Sequence, residues 1–208
     1  MDSSSGQEPP AHASRGRTAA SAGTRQRLLD AAGALIAELG WGRVTTRAVA
    51  ERAELPHGAV SYHFRGKQEL LIEATMQAFG QALPLESFAA LTSVADLVDV
   101  IDAEVGDREA IDPVISRLML EAMREAERDP ALRERLGGMM RTYRRAMVDA
   151  VRADQARGAA YGGASPEAIA ALIAAVGDGL LLHVLLDPTL DPRPAIAALR
   201  AVLRGDGG

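Results

Sequence analysis

The stretch His57-Gly58-Ala59-Val60-Ser61-Tyr62-His63 gathers hydrogen-bonding side chains at His57, Ser61, Tyr62 and His63 into one short segment. Gly58 and Ala59 are small enough to let a helix approach another surface closely. Such groups can read the edges of base pairs or donate to phosphate oxygens. The flanks fit the same chemistry. Thr46 and Arg47 begin one expected helix and Lys67 begins another. Free amides and the positive end of a helix dipole favour phosphate at such places, and Lys67 adds a full charge. Other chemistries find no residues. The chain has no Cys, which excludes disulfide scaffolds, zinc fingers and thiol catalysis. Histidines at 12, 57, 63 and 183 lack metal-ligand spacing, and no phosphate loop or nucleophile motif occurs. Asp99 and Asp102 read as a solvated helix face. The expectation is a non-enzyme with no metal and no cofactor.

The elements that must hold these residues are helical. Apolar residues recur with a 3.6-residue period, and no run alternates long enough for a strand. Residues 24–39 carry Leu28, Leu29, Ala32, Leu35, Ile36 and Leu39 on one stripe, and Gly40 closes it. Thr45 or Thr46 caps a short helix through Ala53. Pro56 starts another over 57–63, with Val60 and Phe64 as anchors to the core, and a fourth runs from Lys67 to Leu83. Trp41 reads as a packing plug against the first or fourth helix. Asp112-Pro113, Asp129-Pro130, Ser165-Pro166 and Asp191-Pro192 each pair a cap with a proline at a helix start. With a weaker helix near 93–106, these give about nine helices, an all-α fold.

Charge is unevenly distributed along the 208 residues. The whole chain carries −5, yet residues 15–70 hold nine Lys/Arg against five Asp/Glu. A basic amino-terminal unit on an acidic body suits attraction to phosphate at one end only. Aromatics are 3%, too few for a binder that stacks single-stranded bases. Residues 1–22 offer almost nothing to bury and read as a disordered tail without the apolar run of a signal peptide. Arg15 and Arg17 there are either solvated or an arm for the minor groove.

Helix, short helix, tight turn and short helix within about 45 residues is a helix-turn-helix layout. The runs Val44-Thr45-Thr46-Arg47-Ala48-Val49-Ala50-Glu51-Arg52-Ala53, Leu55 to Phe64 and Gly66-Lys67-Gln68-Glu69-Leu70 closely resemble the amino-terminal signature of tetracycline-repressor (TetR) type transcriptional regulators. The resemblance implies an all-helical homodimer that binds a double-stranded DNA operator. It places a DNA-binding domain at 23–70 and a ligand-binding and dimerisation domain at 71–208. It sets Tyr62, His63 and Lys67 against the DNA backbone, Thr46 and Arg47 at backbone or groove, and His57, Gly58, Ala59 and Ser61 in the groove. On the residues alone, Tyr62 also reads as core cover, and His63 as a surface histidine. The chain departs from the pattern at Pro56, where a capping Ser or Thr is common, and at Ser61, where Tyr is common. Glu54 replaces the usual turn glycine, so a side chain must bear any left-handed backbone there.

The body carries the remaining expectations. Residues 165–186 are apolar nearly all round, so the helix needs burial on more than one side. Asp178 within it argues against a membrane span, and a cytoplasmic protein is expected. Ile169, Leu172, Ile173, Val176 and Leu180, with Ile196, Leu199, Val202 and Leu203 of the last helix, are the expected dimer interface. With their twins they would form an intermolecular four-helix bundle. Gly177 and Gly179 would permit close backbone approach. Met119, Met123, Met139, Met140, Tyr143 and Met147 read either as lining for a small, largely apolar effector or as ordinary core. Asp178 and His183 would orient a ligand or bond across the dimer axis. The functional expectation is an effector-released repressor; the alternative is a small-molecule sequestering module whose helix-turn-helix is only structural.

Overall fold

The computed structural model describes residues 11–187 and 189–204. Among them are ten α-helices, with no strand. They are α1 (Ala11–Leu39), α2 (Thr46–Arg52), α3 (Gly58–His63), α4 (Lys67–Ala82), α5 (Leu85–Ala89), α6 (Val94–Val105), α7 (Pro113–Ala126), α8 (Pro130–Ala156), α9 (Pro166–Leu186) and α10 (Arg193–Arg204). The expected caps are made. Asp112 accepts from the Val114 amide at 2.7 Å and Asp129 from the Ala131 amide at 2.8 Å. Ser165 accepts from Ala168 at 3.2 Å. Ser93 and Asp96 exchange side-chain and amide bonds in a capping box at α6, each 3.0 Å. Such caps are worth about 1 kcal/mol apiece. Gly40 ends α1 at φ 82, where its amide bonds to Ile36 at 2.9 Å.

Two expectations about element boundaries change. Helix α1 begins at Ala11, so residues 11–22 are helical where a disordered tail was expected. Alanines at 11, 13, 19, 20 and 22 supply the strongest helix propensity of any residue. Residues 1–10 of that tail lie outside the described residues. Helix α5 was not expected at all; five residues after Pro84 show no period.

The chain divides into two compact units between Ala78 and Phe79, inside α4, later than the expected boundary at 70. In the first, Leu28, Leu29, Ala32, Leu35 and Ile36 of α1 are buried with Val44, Val49, Val60, Phe64, Leu70 and Leu71. Trp41 is buried too, and its indole N–H donates to Gln68 at 3.4 Å. In the second, α6, α8, α9 and α10 share one core built on Val98, Ile101, Val151, Ile173 and Ile196. Gly177 is a true close approach, since a Cβ there would lie 3.2 Å from Ile101. Asp99 and Asp102, expected on a solvated face, both accept from Arg200 of α10, Asp102 at 2.9 Å. Helix α9 is long and apolar enough to cross a membrane by length and composition. Ile169, Ala170, Ile173 and Val184 are nevertheless buried, and it packs on α6 and α8 as a core helix.

Candidate nucleic-acid interface

Helices α1, α2 and α3 pack on one another, and α3 has a buried and an open side. Val60 and the following Phe64 are 2% and 4% exposed and fasten it. His57, Gly58, Ser61 and Tyr62 are exposed, whereas Ala59 and His63 are half-buried. Tyr62 is 80% exposed, so it covers no core. Its ring meets that of His63 edge-on at 4.9 Å, which limits how both can turn. The residues expected to face DNA from α3 thus share a solvent-facing side, with Ala59 and His63 at its margin.

The flanking cations are present but engaged. Arg47 Nε donates to Glu51 Oε1 at 2.8 Å. That hydrogen bond and the guanidinium charge hold the Glu51 carboxyl below its ordinary range. Lys67 Nζ donates to the Gly42 carbonyl at 3.1 Å, so its ammonium is positioned rather than free. Thr45, not Thr46, is the cap of α2; its hydroxyl accepts from Ala48 at 3.1 Å. Thr46 is the first helical residue and half-buried. Arg15 and Arg17 fall within α1, and their side chains lie outside those described.

The turn between α2 and α3 holds the departure anticipated at Glu54, which sits at φ 53. Sequence reasoning missed the α1 residues that support this region. Glu38 takes a two-pronged bond from Arg52, at 2.9 and 2.6 Å. Arg27 donates to the Ala53 carbonyl. The only sequence signal for the latter was the glutamate in glycine's place.

The second unit divides the residues expected at the interface between its own core and its surface. Ile169, Ile173 and Ile196 are buried within the core of their own protomer. Leu180, Leu199 and Leu203 pack partly buried against the same core, and Val176 is half-buried. Only Leu172 and Val202, 51% and 72% exposed, face outward among the nine expected. The outward stripe of α9 is instead Leu172, Ala175, Gly179, Leu182 and Leu186, spaced by three and four residues alternately. An all-round apolar helix conceals which stripe is which, because every face meets the hydrophobic criterion. Asp178 and His183 are exposed on α9. Crowding by protein pushes the Asp178 carboxyl up, with the Arg144 charge working against it.

The residues expected to line a pocket differ in their surroundings. Tyr143 is committed elsewhere: its hydroxyl donates to the Leu83 carbonyl and its ring meets Phe88 of α5 at 4.9 Å. The unforeseen α5 is the physical reason. Met123 and Met140 are 47% and 37% exposed. Met147 packs on the core, and Met119 and Met139 are half-buried. Two of the unit's surface recesses are lined by other residues. One, of about 430 Å³, lies among Val98, Asp154, Tyr161, Arg200 and Leu203. The other, of about 390 Å³, is basic, lined by Arg141, Arg144, Arg145, Arg152 and Glu167 among others.

Residues 28–74 match the model for bacterial regulatory proteins of the tetR family, and residues 94–205 match that for the carboxy-terminal part of BetI-type transcriptional repressors. No curated protein matches the chain. Among solved structures, SCO7518 of Streptomyces coelicolor A3(2) is 27% identical, with a TM-score of 0.67 over 87% of this chain and 98% of that one. GusR of Salmonella enterica is 24% identical, with a TM-score of 0.69 over 88% and 94%. A Saccharomonospora viridis protein solved with choline is 20% identical, with a TM-score of 0.67 over 88% and 95%.

Proposed function

Because the chain belongs to the tetR family of bacterial regulatory proteins, we propose that it is a ligand-responsive transcriptional repressor. It binds a palindromic operator as a homodimer and is released by a small, largely apolar effector. The observation that carries this reading is the open side of α3: Tyr62, 80% exposed, beside small residues, on a helix whose other side is buried. His57, Gly58, Ala59 and Ser61 face the major groove, and Tyr62 and His63 donate to the backbone. Thr46, Arg47 and Lys67 complete the phosphate contacts, Arg47 by exchanging Glu51 for a phosphate.

Dimerisation uses the apolar stripe of α9 together with Val202 of α10. Leu172, Leu182 and Leu186 are 51%, 42% and 73% exposed, a seam that a second copy would cover. Ala175 and Gly179 would let the paired helices approach closely. Binding both half-sites of a palindrome requires recognition helices about 34–36 Å apart, one DNA turn. Repression is supported by the BetI-type repressor match, and an effector by the choline held in the Saccharomonospora viridis relative. The half-buried Met119, Met139 and Met147 are adaptable lining for it. An effector acts only as far as it prefers the conformation that cannot bind DNA. Such a regulator works in the cytoplasm.

The test is selection from random duplex DNA, followed by titration of the enriched sequence and a scrambled control at one fixed salt concentration. An enriched palindrome bound at least about 10³-fold more tightly than the control supports the reading. Equal affinities would favour the sequestering module instead.

A further inference from the structure

We propose that Arg27 is a positioning residue for the recognition helix, required because residue 54 is glutamate. This deepens the DNA-binding reading and rests on it for its effect on operator affinity; the clamp itself does not. Helix α2 ends in two crossed bonds: the Leu55 amide donates to the Ala50 carbonyl at 2.9 Å, and the Glu54 amide to the Glu51 carbonyl at 3.0 Å. This ending needs one left-handed residue, which is ordinarily glycine. Here Glu54 takes it at φ 53, against the steric preference of any residue with a Cβ. Pro56 and His57 follow at once, so the backbone of residue 54 sets the direction in which α3 leaves.

Arg27 reaches this point from α1. Its guanidinium donates to the Ala53 carbonyl, lies 3.5 Å from the Glu54 carbonyl and stands 3.7 Å from the Glu54 carboxylate. Both carbonyls belong to the end of α2, where no helical amide can serve them and a cation is favoured. The ion pair is largely exposed and contributes little, so the carbonyl contacts carry the clamp. Arg27 is followed by Leu28 and Leu29, which are buried, so its backbone is fixed. Arg52 and Glu38 also join α1 to α2, but they touch none of the residues that turn the chain. Arg27 therefore holds a strained turn in place, and a glycine at 54 would make it dispensable.

The experiment uses the full chain with R27A, R27K, E54G, E54Q and R27A combined in turn with E54G and E54Q. Amide exchange at Leu55 and operator affinity across salt concentrations are measured for each. R27A should speed Leu55 exchange and weaken operator binding by about 10-fold, with R27K intermediate. Added to E54G, R27A should change either readout by less than about 3-fold. E54Q, which keeps the strain without the charge, should leave the need for Arg27 intact. The salt slope should be the same in all variants. A slope smaller by about 1 in R27A would make Arg27 a phosphate contact and overturn the proposal. So would unchanged Leu55 exchange in R27A, or full sensitivity to R27A in the E54G background. If the wild type prefers no DNA sequence, the operator reading fails, while the exchange data still decide the clamp. R27K and the two Glu54 variants keep the test open should R27A not fold.

Discussion

Leu172 and Ile173 are neighbours in the chain with opposite surroundings: Ile173 is fully buried among α6 and α8 residues, while Leu172 is 51% exposed. Consecutive helical residues lie about 100° apart, so the boundary between core and seam falls between them. Ile173→Ala should destabilise the carboxy-terminal unit by about 2–5 kcal/mol. Leu172→Glu should leave that core intact yet yield a monomer in sedimentation velocity. Losing simultaneous half-site binding should then lower operator affinity by about 10²–10⁴-fold.

Tyr62 offers a cleaner separation of folding from binding, because its ring contributes little to the core. Tyr62→Phe should leave the melting temperature unchanged. Loss of one hydrogen bond to a charged phosphate should weaken operator binding by about 1.5–3 kcal/mol. Paired melting curves and anisotropy titrations check both halves of this expectation.

Lys67 differs from Tyr62 in bringing a full charge to the phosphate it is proposed to meet. Lys67→Ala should weaken operator and non-specific DNA to a similar degree. It should also lower the slope of log affinity against log salt by about 1. Titrations on both DNAs over a range of salt concentrations measure this directly.

Asp154 contributes to stability against acid. Burial alone would raise its carboxyl, but bonds from the Tyr161 hydroxyl, the Val94 amide and Arg157 together hold it below its ordinary range. A carboxyl with a lowered folded-state pKa stabilises above its unfolded pKa and loses that effect as pH falls through the folded one. Asp154→Ala should therefore cost about 1–3 kcal/mol near neutral pH. The difference from wild type should shrink below about pH 4 in urea denaturation.

What could be read from the chain follows from where local chemistry decides the structure. Asp112, Asp129 and Ser165 announce α7, α8 and α9 because a capping side chain and a following proline act within three residues. The open and buried sides of α3 were legible for a similar reason: Val60 and Phe64 stand four apart with the polar Ser61, Tyr62 and His63 between them. The outward face of α9 was not, since its sequence lacks a polar stripe to mark it. That Tyr143 would bond to Leu83 and meet Phe88 was not legible either, because the short α5 shows no period. Arg27 was hidden because its main partners are main-chain carbonyls, with the glutamate at 54 as the one hint in residue types.

The central claim is that two copies of α3 engage successive major grooves of one duplex. Hydroxyl-radical footprinting of the protein on its selected operator tests this most directly. Two protected patches related by a dyad, with centres about 34–36 Å apart and both lost in Tyr62→Ala, are the predicted result. A single unsymmetrical patch, or protection that survives in Tyr62→Ala, would contradict it.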